Sequence, residues 1–328
     1  MKIKKALFMI KKLFADVFNK SEPFRISNDI HNRELKHYYF LFEEDPAKLN
    51  KLISAFDENG IPLNSAYIDV AEPKLHYYPI SIGQYALAIF NTYVETKSEE
   101  KKKLFLNIAD WFLINAVTDE ILGTFWLTDI PKPEYKVYTS WKSAFTQSRA
   151  ISVLLRAWQL TGEEKYLSLA SSALTPFKFD ISKGGVAVVS NSTKFYEEYV
   201  AAEPTMVLDG HIFSMLGLFD FVRAVPEKQL AKDLFNDGIN ALIKFLPEFD
   251  MGYWLRFNLC QMEHYPQSDP CTIGYLRLVL IQLKLLYEIT KNDEFIKYYN
   301  KFKKYDKPGN ILRMYLVKYK ALKKLNRL

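Results

Sequence analysis

From about Tyr78 the chain alternates two kinds of apolar pattern. One kind is apolar on nearly every side, as in SIGQYALAIFNTY (81–93) and MVLDGHIFSMLGLFDFV (206–222). A helix without a polar face belongs inside a core. The other kind repeats apolar residues at helical spacing with charges between them: EEKKKLFLNIADWFLINAV (99–117), EEKYLSLASSAL (163–174), EKQLAKDLFNDGINALIKFL (227–246) and NDEFIKYYNKF (292–302). Such segments bury one face and solvate the other. The first kind begins near Pro79, Trp141, Pro204 and Thr272, at intervals of 62, 63 and 68 residues, and two of these starts are proline entries. The units share negligible sequence, so the period is architectural. Inner and outer helices repeating in this way predict a mainly α fold, an α/α toroid of about four helix pairs.

One connection breaks the helical pattern. GGVAVVSNSTKFYEEYV (184–200) joins a β-branched run, an Asn/Ser turn and an aromatic run, which predicts a β-hairpin at the mouth of the toroid. Residues 1–20 place Ile3, Leu7, Ile10, Phe14, Val17 and Phe18 at helical spacing among lysines, a basic amphipathic helix. Lys11 and Lys12 interrupt its apolar stretch, so it does not resemble an export signal. Residues 21–75 form an N-terminal extension with a turn at Glu58, Asn59 and Gly60; residues 76–305 form the toroid; residues 306–328 form a second basic helix.

Charge refines this division. The formal net charge is +6, but residues 1–20 hold six Lys against one Asp, and residues 309–328 hold six Lys or Arg and no acid. Without those ends the body is mildly acidic. No nucleic-acid partner is expected, and the basic ends suit an anionic membrane surface. Only Cys260 and Cys271 occur, which rules out a disulfide scaffold and points to the cytoplasm, with peripheral attachment at the inner membrane face. A homodimer is left open.

No glycine-rich phosphate loop, HExxH or GxSxG pattern is present, and the five histidines are dispersed. Neither a cofactor nor a metal is therefore expected. Aromatic and carboxylate chemistry remains: Tyr196, Glu197, Glu198 and Tyr199 end the hairpin, Tyr253 and Arg256 sit in a loop, and Tyr275 and Arg277 open the last inner helix. On a continuous strand Glu197 and Tyr199 would share one face, Tyr196 and Glu198 the other. Tyr, Glu and Arg at one pore fit proton abstraction beside a carboxylate, because neutralising a uronate carboxylate makes its C5–H labile. An epimerase, a uronate lyase, a glycosidase using two of Glu197, Glu198, Glu203 and Asp209, and a non-catalytic carbohydrate-binding protein all remain open at this point.

The series WKSAFTQ (141–147), TPFKF (175–179), YEEY (196–199), LDGH (208–211), SMLGLFD (214–220), LPEFD (246–250), YWLR (253–256), Tyr275 and Gln282 resembles, in order and spacing, the C-terminal catalytic region of D-glucuronyl C5-epimerases. These enzymes convert glucuronate to iduronate within heparosan-type chains. The likeness covers about residues 141–303, and residues 76–140 more loosely. It implies the same α/α toroid and a two-base mechanism without a cofactor, acting on an acidic polysaccharide. It also implies Glu198, Tyr199, Tyr253 and Tyr275 as catalytic positions, with Tyr275 and Glu198 as the opposed acid and base. Arg256 would bind the uronate carboxylate, with Arg277, Tyr196, Gln147 and Trp141 as further substrate-binding positions. Trp254, Phe257, Arg149 and the apolar run 276–281, whose second residue is Arg277, depart from the family pattern. These departures lie near the substrate and leave the polymer's identity open.

Overall fold

The computed structural model describes residues 13–14, 17–18, 24–49, 52–66, 74–190 and 193–327. Four helix pairs follow one another: α1 (Pro79–Thr96) with α2 (Glu99–Ile114), α3 (Ala144–Thr161) with α4 (Glu164–Ser172), α5 (Leu208–Ala224) with α6 (Gln229–Phe245), and α7 (Ile273–Thr290) with α8 (Asp293–Lys303). A further helix, α9 (Pro308–Lys324), ends the described chain. Inner helix packs on inner helix in the order α1, α3, α5, α7, and each also packs on its outer partner. All of α5 is buried except Phe219, Val222 and Ala224. In α6 only one stripe is buried, Ala231, Leu234, Phe235, Gly238, Ile239, Ala241 and Leu242, as its amphipathic pattern requires.

Capping chemistry sets the helix starts. Pro79 occupies the first turn of α1; Ser143 caps α3 by accepting from the backbone N–H groups of Phe145 and Thr146; Thr272 caps α7 by accepting from that of Tyr275. The sequence pattern starts the second inner helix at Trp141, but the Trp141 backbone is paired with Thr128, so helical geometry begins only past Ser143. Close approach does the rest. A Cβ on Gly217 of α5 would lie 2.5 Å from the Ser148 backbone of α3. With no side chain there, Ser148 Oγ accepts from Gly217 N–H at 2.9 Å and donates to the Phe213 carbonyl at 2.7 Å.

The strands are short. β1 (Ile53–Phe56), β2 (Pro62–Ser65) and β3 (Leu75–Tyr77) form an antiparallel sheet in that order, and β4 (Val117–Asp119) pairs with β5 (Gly123–Phe125). β6 (Ala187–Ser190) and β7 (Thr193–Tyr196) form the expected hairpin. The segment read as an N-terminal extension supplies Leu35, Tyr38, Tyr39, Phe40 and Phe42 to the same core as the toroid. It is pinned by buried arginines: Arg156 reaches Asp220 at 2.7 Å and the Lys36 carbonyl, and Arg223 reaches Asp29 at 2.9 Å and the Asn32 carbonyl.

The basic helix expected over residues 1–20 falls largely outside the described residues; within it, Leu13 and Val17 pack on the core while Phe14 and Phe18 are exposed. On α9, Leu312, Leu316 and Tyr319 form an exposed stripe at helical spacing. Among the described residues no helix is long and apolar enough to cross a membrane.

Candidate active site

The first turns of all four inner helices meet at one cleft of about 750 Å³. Ile80 comes from α1, Phe145 from α3, Asp209 from α5 and Tyr275 from α7. Glu198 and Tyr199, just beyond β7, and Lys132 and Tyr135, from the 126–143 connection, complete the wall. Glycine makes the central contact: a Cβ on Gly210 would lie 2.5 Å from Glu198 Oε2 and 2.6 Å from its Cβ. Only a glycine lets the glutamate rest on the first turn of α5, beside Asp209.

Glu198 and Asp209 are both buried, at 6% and 5% exposure. Burial raises the Glu198 carboxyl above its ordinary range, against the pull of a Tyr199 hydrogen bond and the Lys132 charge. Burial also pushes Asp209 well up, and the charge of Glu198 pushes it further. Two like charges coupled in this way cannot both ionise cheaply, so the pair as a whole holds on to a proton. Tyr199 is fixed on three sides. Its ring stacks on Tyr135 (5.4 Å, 28°), meets Trp141 edge-on (5.2 Å) and carries Lys132 Nζ 4.0 Å from its centroid. Tyr135 in turn stacks on Tyr265 (5.5 Å, 13°), and both hydroxyls accept from Asn258 Nδ2. Tyr265 donates to Asp269, which pairs with Lys318 of α9 at 2.6 Å. Tyr275 lines the same cleft, edge-on to Phe257 at 5.3 Å.

The other residues singled out from sequence lie elsewhere. Tyr196 is fully buried behind the cleft, its hydroxyl donated to the Leu234 carbonyl and its N–H to His211 Nδ1. Gln147 is fully buried and ties the Thr124 and Ala173 carbonyls together at 2.8 and 3.0 Å. Trp141 backs Tyr199 and donates Nε1–H to the Ile130 carbonyl. Tyr253 lies under α9, with the Arg313 guanidinium 3.7 Å from its ring centroid, and its buried hydroxyl has no hydrogen-bond partner among the described residues. Arg277 pairs with Asp306 at 2.9 Å. Arg256 lines a neighbouring cleft, donating to the Gln267 carbonyl. Arg149 sits under the floor, its guanidinium carbon 4.7 and 4.6 Å from the Phe145 and Phe213 ring centroids, and donates to the Tyr38 hydroxyl.

The pattern of the sequence passed over Lys132, Tyr135, Tyr265, Asp269, Lys318 and Arg327, all of which line the cleft. The first four sit in connections without periodicity, and the last two lie in a segment whose charge reads as surface. Among the described residues no group of three or more His, Cys, Asp or Glu side chains is arranged to hold a metal ion.

Comparison with known families decides the relationship. The model of the D-glucuronyl C5-epimerase C-terminus matches residues 126–304. The chain belongs to that family. An uncharacterised protein of Methanocaldococcus jannaschii is 27% identical over 242 residues, 69% of this chain and 76% of that protein. The D-glucuronyl C5-epimerase of Caenorhabditis elegans is 30% identical over 170 residues, 48% of this chain but only 28% of the worm enzyme. Among solved structures, the cellobiose 2-epimerase of Spirochaeta thermophila superposes with a TM-score of 0.53 at 10% identity, over 85% of this chain and 77% of its own. That likeness is one of fold: both are α/α toroids. The family match and the worm relative support an enzyme that acts on carbohydrates, with an epimerase-type function.

Proposed function

We propose that the chain is a C5-epimerase of uronate residues within an acidic polysaccharide. The observation that carries this is the buried Glu198–Asp209 pair, opening on the same cleft as Tyr199 and Tyr275. The C5–H of a uronate is removable when its carboxylate is neutralised, because the electron pair then flows into an enolate. Lys132, which also pairs with Glu134 at 3.6 Å, and Asp209, taken as the protonated member of the pair, are the cleft groups assigned to that neutralisation. Glu198, taken as the ionised member of the pair, accepts the C5 proton from one face of the ring. Tyr275, from the first turn of α7, is assigned to give its hydroxyl proton to C5 on the other face. The mirror-image sequence returns the original configuration, with Tyr275 as base and Glu198 as acid. One proton leaves and one returns, so no redox partner enters the balance. Tyr199 holds Glu198 in place through its hydrogen bond and its own aromatic cage.

The carboxylate role differs from the expectation from sequence. Arg256 and Arg277 are engaged outside this cleft, whereas Lys132, Lys318 and Arg327 line it. The products test the reading. Incubation with unsulfated glucuronate–hexosamine chains is expected to raise their iduronate content while the number of chain ends stays constant. New unsaturated ends would make the enzyme a lyase, and new reducing ends without unsaturation a glycosidase.

A further inference from the structure

The helix α9 lies outside the residues that match the family model, which end at 304. It nevertheless walls two clefts. Lys318 and Leu322, with Arg327 just beyond the helix, line the cleft of Glu198 and Tyr275; Lys324 lines a second cleft of about 700 Å³ with Arg256, Asn258, Gln261 and Gln267, where Glu248 and Glu263 are the acids besides the Asp269 that Lys318 neutralises. The two clefts share Tyr265 and Asp269 as a common wall, so they lie side by side. Along α9 the six residue steps from Lys318 to Lys324 advance about 9 Å, which carries the positive charge from one cleft to the next. The helix contains no acid.

Each of these cations rests on an acceptor beside the two clefts. Lys318 Nζ holds Asp269 Oδ1 at 2.6 Å, Arg327 approaches Glu134 at 3.5 Å, and Lys324 Nζ donates to the Tyr265 carbonyl at 2.8 Å and the Glu263 carbonyl at 3.5 Å. Backbone carbonyls are weaker partners for an ammonium group than a carboxylate. Lys324, which is exposed and held by two carbonyls, is therefore the cation most readily recruited by an incoming anion.

We infer that the second cleft is a flanking subsite, in which Lys324 binds the carboxylate of a uronate adjacent in the polymer to the residue under reaction. This rests on the uronate-polymer reading above and adds to it a dependence on chain length. A chain long enough to fill both clefts gains the Lys324 contact, and a shorter one does not.

Titration calorimetry with unsulfated glucuronate–hexosamine oligosaccharides of two lengths, a disaccharide and a decasaccharide, tests the inference without requiring turnover. The wild-type protein is expected to bind the decasaccharide more tightly. Lys324→Gln weakens decasaccharide binding about tenfold and erases most of the length preference, whereas Lys324→Arg keeps it. The wild-type preference falls as salt is raised, as an ionic contact at the surface requires. Equal affinity for both lengths in the wild type, or an undiminished preference in Lys324→Gln, overturns the subsite. Binding with the expected preference but without exchange at C5 overturns the epimerase reading and leaves the subsite standing. Binding of neither oligosaccharide overturns both.

Discussion

Glu197 and Glu198 are neighbours in sequence with opposite roles. Glu197 is fully buried and accepts from Thr205 N–H at 3.0 Å, from the Thr205 hydroxyl and from Met206 N–H at 2.9 Å. It clips the loop that turns through Met206, whose φ of 51° is in the left-handed region. Strand alternation from sequence pairs Glu197 with Tyr199, but β7 stops at Tyr196 and the chain bends at 198–199. Both Glu198 and Tyr199 therefore reach the cleft, which no periodicity could reveal. A stability prediction follows from the buried acids. Burial raises Glu197 from 4.5 to about 7, and raises Glu198 and Asp209 as well. A folded state that holds protons the unfolded chain has lost is most favoured below pH 4.5, and that advantage disappears as pH rises towards 7. The slope is up to about 1.4 kcal/mol per pH unit for each such group. Acids held low, such as Asp180 and Asp250, act below their ordinary 3.8, outside this window. His211, whose burial pushes its ring down to about 3, acts in the opposite sense over the same interval, so the test is a difference. Urea unfolding should show the wild type losing stability relative to Glu197→Gln between pH 5 and pH 7, and no such relative loss would contradict the assignment.

At the scale of elements, the inner helices were legible because they are apolar all round, and their starts fell within four residues of those observed at Pro79, Ala144, Leu208 and Ile273. The hairpin was legible from its β-branched run and turn. The helix α9 was legible as a helix but not by its face: its lysines suggest a surface, yet the Lys318 side chain is only 18% exposed and lines the cleft. Which face of a basic helix docks depends on partners such as Asp269, far away in sequence. The junction of hairpin and α5 depends on Gly210. Gly210→Ala places a methyl group within 2.6 Å of the Glu198 side chain and must displace it. A shift of about 1 Å at a catalytic group costs on the order of 10²-fold. Turnover by this variant should fall by roughly that factor while its circular dichroism stays native. Wild-type turnover would show that Glu198 does not need this seat.

Across the whole molecule, the cleft is a product of ring architecture. Four segments separated by more than sixty residues each bring a first turn to the same place, so Ile80, Phe145, Asp209 and Tyr275 become neighbours only once the toroid has formed. The period in the sequence foretold that convergence, and the family resemblance pointed to Glu198, Tyr199 and Tyr275. It also pointed to Tyr253, which lies beneath α9 instead. The basic ends take on a different meaning too: two cations of the C-terminal segment, Lys318 and Arg327, line the cleft. The central claim is that Glu198 and Tyr275 exchange the C5 proton of a polymeric uronate. The direct measurement is NMR of unsulfated glucuronate–hexosamine chains after incubation in heavy water. The wild-type enzyme is expected to introduce deuterium at C5 without cleaving the chain. Glu198→Gln and Tyr275→Phe, each folded, should lose exchange by about 10²-fold or more. Absence of exchange with the wild type, or full exchange in both variants, would contradict the account.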